Sequence, residues 1–239
     1  MVDHVSSFNL PYNEYSLRNL IAEGINPRFI CVTGSPVLEI YDHYKEKVSS
    51  SKVLHQLGLK EQSYFLVSVH RQENVDQKSR LEEVIKCLKA IRDKWGLPVL
   101  VSTHPRTKRR LEEHGLDLVD GVTFHAPFGY LDYNQLQLNA KCVISDSGTI
   151  SEESAIVGFP AVSLRDSIER PESLDAGSMI LSGLDSENLI SSIELSTGEQ
   201  HVSRTPAGYD SNNFSDVVLK FLFSTAKKHK SWLGIRAVS

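Results

Sequence analysis

Cysteine is scarce in this chain. Cys31, Cys87 and Cys142 are the only three among 239 residues. They are odd in number, far apart, and each sits in an apolar run. That excludes a disulfide framework and makes buried free thiols in a reducing cytoplasm the expectation. No Cys/His cluster has zinc spacing, and no metal or other cofactor is expected. A run of 18 apolar residues is also missing, as is a signal-peptide pattern, so neither a membrane span nor a secretory route is expected. Positive charge is not in excess. Twenty-six Lys and Arg stand against 30 Asp and Glu, for a net charge of −4 and a pI near 6.1. That balance argues against nucleic acid or an anionic membrane as the main partner. Internal repeats are absent.

What is present is an alternation. Short, β-branched apolar runs lie at 28–33, 64–69, 98–102, 122–124, 141–144, 160–164 and 178–181. Such runs suit strands buried on both faces of a parallel sheet. Amphipathic stretches at 35–48, 79–95, 105–114, 132–140, 149–157 and 185–195 separate them. In 79–95, Leu81, Val84, Ile85, Leu88 and Ile91 form one stripe at helical spacing. The pattern predicts a doubly wound, Rossmann-like α/β domain, with ligands bound beyond the carboxyl ends of the strands. Residues 11–24 read as a helix and 212–232 as a terminal helix with a basic end.

The segment after the run at 141–144 is the most informative. Asp146-Ser147-Gly148 leads into a helix from Thr149 to Val157, closed by Gly158 and Pro160. A strand running through a small-residue turn into a helix leaves backbone N–H groups free, and these with the helix dipole suit a phosphate. Glu153 stands four residues after Thr149 on the same helix face and can accept hydrogen bonds from sugar hydroxyls. Ser, Asp and Gly before a helix also serve as ordinary N-caps, and Glu in a first turn as ordinary dipole matching. Glu152 and Glu153 are about 100° apart on the helix, so at most one of them faces a ligand.

The other strand ends also carry polar sets. His70-Arg71-Gln72-Glu73-Asn74 follows the first of the main runs, His104-Pro105-Arg106 the second, and His125 with Phe128, Tyr130 and Tyr133 the third. Arg165 and Glu169-Arg170-Pro171-Glu172 follow the fifth. The order and spacing of His70-Arg-x-Glu-Asn74, Asp146-Ser-Gly-x-Ile-x-Glu-Glu153 and Glu169-Arg-Pro-Glu172 resemble the non-hydrolysing UDP-N-acetylglucosamine 2-epimerase family. The resemblance covers most of the chain.

The resemblance implies two Rossmann-like domains in the GT-B arrangement, with the nucleotide-sugar in the cleft. This chain resembles the C-terminal half, with 1–33 a connector from a missing N-terminal catalytic domain. Residues 34–211 would be the nucleotide-sugar-binding domain, and 212–239 a terminal helix packing back toward the missing one. By the same resemblance Ser147, Gly148 and Thr149 hold the diphosphate of a UDP-N-acetyl sugar and Glu153 the ribose. Phe128 and Tyr133 would meet the base, while Arg71, Glu73 and Arg170 face the substrate and His70 is catalytic. Glu169 and Glu172 are expected as ion-pair partners of Arg170.

Thr149 and Ser151 depart from the family's usual Ser-Gly-Gly-Ile-Gln-Glu-Glu run. The Thr-Ile-Ser version is similar to the UDP-N-acetyl-L-fucosamine 2-epimerase branch. The implied chemistry is C2 inversion by elimination and re-addition of UDP, with this half inactive alone. A non-catalytic UDP-sugar-binding module and half of a GT-B glycosyltransferase stay open as alternatives. A homodimer is expected, on the premise that Phe8, Leu10, Tyr15, Leu17 and Leu20 lie uncovered.

Overall fold

The computed structural model describes residues 1–198, 204–232 and 234. Two compact units divide the chain: residues 44–204 form one, and residues 1–43 with 205–239 form the other.

The larger unit holds the six strands, β1 (Phe65–Ser68), β2 (Val99–Ser102), β3 (Val122–His125), β4 (Cys142–Ser145), β5 (Ala161–Ser163) and β6 (Ile180–Leu181). They form one sheet in the order β3-β2-β1-β4-β5-β6, and every pair is parallel. This is the doubly wound Rossmann order, whose topological switch point lies between β1 and β4. The helices of more than five residues are α1 (Glu14–Ala22), α2 (Val37–Ser49), α3 (Lys78–Trp95), α4 (Pro105–His114), α5 (Tyr130–Asn139), α6 (Ile150–Val157), α7 (Ser186–Ser196) and α8 (Phe214–Thr225). Helices α3 to α7 belong wholly to the larger unit.

Period-two alternation along the strands explains why helices cover both faces. Phe65, Val67, Val99, Val101, Cys142, Ile144 and Val162 face one cluster, which takes Leu81, Ile85 and Leu88 from α3 and Leu189 and Ile193 from α7. Leu66, Leu100, Val143 and Ala161 face the other, with Leu136 from α5 and Ile150 from α6. Each Val, Leu, Ile or Phe among them, fully buried, contributes about 1.5–3 kcal/mol of transfer free energy.

Residues 28–33 depart from the expected strand. Asn26 caps a 3-10 turn, Pro27–Phe29, and only an isolated bridge, Asn9 to Ile30, follows. Pro27 fixes its φ near the helical value and has no N–H to give a ladder, so the turn wins over β-propensity. The N-terminal apolar residues also differ from the reading that left them uncovered. Phe8 meets Phe29, Phe221 and Trp232 edge-on, with ring centroids 6.0, 5.2 and 5.6 Å away. Leu10, Tyr15, Leu17 and Leu20 are half-buried. Among the described residues no helix is long and apolar enough to cross a membrane.

Candidate functional site

The switch point is where the site forms. In the β1–β4 register Ser68 lies opposite Ser145, so the chain leaves the sheet side by side at Val69 and Asp146. Asp146 is fully buried. Its carboxylate accepts the backbone N–H of His70 (3.1 Å to Oδ1) and of Arg71 (2.9 Å to Oδ2), and the Asn74 side-chain amide at 3.0 Å. His70 Nδ1 lies 3.3 Å from Oδ1. One buried carboxylate thus ties the loop after β1 to the loop after β4. Its charge is compensated by converging N–H donors, as a buried charge requires. Sequence reading treated Asp146 as part of a cap. The signal that could have found it is an Asp at the end of a fully apolar strand, where a charge needs partners from elsewhere. The helix cap is Thr149 instead, with helical φ and ψ and no side-chain cap bond.

Beyond Asp146 the chain turns through Ser147, Gly148 and Thr149 into α6. Ser147 N–H donates to Ser145 Oγ at 3.0 Å, and the Ser147 and Thr149 hydroxyls are 2.9 Å apart. A cavity of about 250 Å³ opens over this turn. His70, Phe128, Tyr133, Ser147, Thr149 and Glu153 line it, six of the expected site residues; Ser68, Ser102, Ser145 and Ile150 also line it and were not anticipated. Glu153 is held by Gln137, whose Nε2 donates to its Oε2 at 2.6 Å. Burial drives the Tyr133 phenol well above its usual range, the charge of Glu153 adds to the rise, and a hydrogen bond with Ser68 opposes it. Tyr133 is therefore a neutral hydroxyl at physiological pH. The Phe128 ring stacks on His125 at 4.1 Å.

The remaining expected residues sit outside the cavity lining. A Cβ on Gly148 would come 3.4 Å from Arg71 Nη2 and from Glu169 Oε2, and 4.0 Å from Arg170 Nε. Those charged groups therefore stand within van der Waals reach of the turn. Glu73 is exposed and faces Arg165 Nε at 4.0 Å. The expected ion pairs are rearranged. Glu169 binds Arg71 and Arg165, and Arg170 pairs with the buried Glu152. The cause is local geometry: Glu169 follows Arg165 by four residues in the same loop after β5, and Glu152 is buried beside Glu153 on α6. Among the described residues no group of three His, Cys, Asp or Glu could hold a metal ion.

The fold and site together define a Rossmann-like α/β domain with a polar cavity and a helix N-terminus at its switch point. Comparison with known proteins narrows this. The family model for UDP-N-acetylglucosamine 2-epimerase matches residues 1–222. A UDP-N-acetylglucosamine 2-epimerase of Methanocaldococcus jannaschii is 33% identical over 215 residues, which is 87% of this chain and 59% of that protein. The solved structure of UDP-N-acetylglucosamine 2-epimerase from Rickettsia bellii superposes with a TM-score of 0.86 at 34% identity, covering 98% of this chain and 64% of that one. The M. jannaschii enzyme, solved in complex with UDP-GlcNAc and UDP, superposes with a TM-score of 0.85 at 30% identity, covering 93% of this chain and 62% of that one. The chain belongs to the UDP-N-acetylglucosamine 2-epimerase family, and its fold resembles the C-terminal half of a GT-B two-domain epimerase. It spans about 60% of the length of these relatives.

Proposed function

We propose that this chain is the UDP-binding domain of a UDP-N-acetyl-hexosamine 2-epimerase, and that it does not catalyse epimerisation alone. The observation that carries the reading is the cavity at the switch point. It joins the N-terminus of α6, the hydroxyls of Ser147 and Thr149, the carboxylate of Glu153 and the ring of His70 in one lining. A diphosphate on the Ser147–Thr149 turn would meet backbone N–H groups and the positive end of the helix. Glu153, fixed by Gln137, would accept from ribose hydroxyls, and Phe128 and Tyr133 would flank the base. His70 and Arg170 would stabilise departing UDP, an electrostatic role for groups already held in place. Inversion at C2 needs acid/base groups on both faces of the sugar; the cavity lining offers one carboxylate, Glu153, which the ribose would occupy, and one imidazole, His70, which the departing UDP would occupy. Residues outside this chain would supply them, making the whole enzyme two-domained and a homodimer of such chains its expected assembly.

Two titrations test this. UDP is expected to bind the 239-residue chain with a dissociation constant on the order of 0.1 mM or weaker, since no opposing domain desolvates it. Glu153→Ala is expected to weaken UDP more than pyrophosphate; equal losses would sink the ribose assignment. NMR of UDP-GlcNAc, and of a 6-deoxy analogue to probe the fucosamine branch, is expected to show no deuterium uptake at C2. Uptake by this chain alone would overturn the division of labour.

A further inference from the structure

The cavity lies over the Ser147–Thr149 turn. Beside Gly148, in the middle of that turn, stands a cluster that the proposed function leaves unused. Arg165 follows β5, and its side chain is only 6% exposed. Its Nε and Nη1 are buried without a hydrogen-bond acceptor. Buried guanidinium N–H groups left unmatched are unfavourable, so Arg165 is a donor set with spare capacity. Its Nη2 donates to Glu169 Oε1 at 3.0 Å. The same oxygen accepts Arg71 Nη1 at 3.1 Å, and Arg71 Nη2 lies 3.4 Å from Oε2. Arg71 is itself fixed, because its Nε donates to the carbonyl oxygen of Asp146 at 2.9 Å.

The Glu169 carboxylate therefore bridges two anchored guanidinium groups, with Oε2 3.4 Å from the position a Cβ on Gly148 would take. Its own side chain is 59% exposed, so packing does not hold it there. An exposed carboxylate on two fixed arginines beside a helix N-terminus occupies the place an anionic ligand would take.

We propose that Glu169 is the resident counter-anion of the diphosphate site, lying on Arg71 and Arg165 while the site is empty and displaced when a nucleoside diphosphate binds. The inference rests on the proposed function, which places the diphosphate on the adjacent turn. Displacement frees Arg71 and Arg165 for the ligand and removes a like charge from its vicinity. Arg165, then Arg71, hold the Glu169 carboxyl below the usual carboxylate range. The neighbouring charges are Glu73, facing Arg165, and Arg170, paired with Glu152. On displacement Glu169 loses the two cations that hold its carboxyl down, so its titration midpoint rises.

The test is calorimetric titration of the 239-residue chain and of its Glu169→Gln variant with UDP and with uridine, at low salt. The expected result is UDP binding roughly tenfold tighter in the variant with uridine unchanged, a like charge having been removed. UDP binding that is unchanged or weaker in the variant overturns the inference while leaving the proposed function standing. If neither chain prefers UDP to uridine, the proposed function fails and takes the inference with it. Should the variant not fold, the wild-type chain decides. The 13C shift of the Glu169 carboxyl is followed against pH with and without saturating UDP. A midpoint that rises with UDP supports displacement; one that stays or falls refutes it.

Discussion

The two units of this molecule are built on different physics. In the residues 44–204 unit, apolar side chains at 0–5% exposure fill both faces of a parallel sheet. Among the described residues, the unit of 1–43 and 205–239 contributes one, Tyr209, to the buried hydrophobic set, while Asn9, Asn13, Thr33 and Ser35 are buried polar. Backbone hydrogen bonds knit it instead: Cys31 to Asn9, Thr33 to Pro11 and Ser35 to Gly208, at 2.8–2.9 Å. Two of its glycines, Gly34 and Gly208, are correspondingly tight. Gly208 has φ +90°, and a Cβ there would come 2.6 Å from the Tyr12 carbonyl oxygen. The lesson is that buried apolar faces hold one unit in shape and backbone hydrogen bonds the other. The candidate site lies in the unit of residues 44–204.

The contrast can be broken most strongly from the sheet side. Ile144→Ala, at a fully buried β4 position, is expected to cost about 2–5 kcal/mol, read as a fall in the urea midpoint at unchanged slope. Gly208→Ala is expected to cost roughly 1–3 kcal/mol through strain at positive φ. Its signature is faster amide exchange at Thr33 and Ser35 with β1 and β4 still protected; uniform loss of protection would erase the distinction.

Thiol chemistry sharpens it further. Burial pushes the Cys87 thiol up to about 11 and Cys142 up to about 12. Cys31, half-buried in the other unit, is raised less. In native protein at pH 8, a thiol reagent is expected to modify Cys31 slowly and the other two only after unfolding, as peptide mapping would show.

The smallest effect is in acid. The Ser215 backbone N–H, 2.8 Å from Glu39 Oε2, holds that carboxyl below the usual range, as Arg165 and Arg71 do for Glu169. A depressed folded-state value stabilises above the unfolded value, roughly 4.3 for Glu, and the gain disappears as pH falls through the folded value. Glu39→Gln and Glu169→Gln are each expected to lie slightly below wild type in stability at pH 7 and to converge with it as the pH falls through the folded-state value. Urea melts from pH 7 into acid would show parallel curves if these contacts contributed nothing.

All six strands of the sheet were legible because continuous β-branched runs bounded by turn residues leave little choice. Helix edges were less so. Helix α5 starts at Tyr130, two residues before the expected boundary, because Gly129 supplies the cap without a polar side chain to announce it. One-turn helices such as Gln72–Val75 and Pro171–Asp175 carry no periodicity to read. At the site, motif residues were legible one by one, and six of them share a cavity. The Asp146 hub and the pairing of Glu169 with Arg71 were not, since both join segments far apart in the chain. The Arg170–Glu152 pair was hidden for the same reason.

The bond from His70 N–H to Asp146 spans 76 residues of sequence, and the β1–β4 ladder beneath it is of similar range. Contacts of this length form late, after the closure entropy of the intervening chain has been met. During synthesis at roughly 5–20 residues per second, β1 waits about 4–15 s for β4 to be made. Throughout that interval Phe65-Leu66-Val67 presents a bare, uncharged edge, the kind that pairs with other nascent chains. The same pairing that builds the cavity is thus the step at which this chain is most exposed to aggregation.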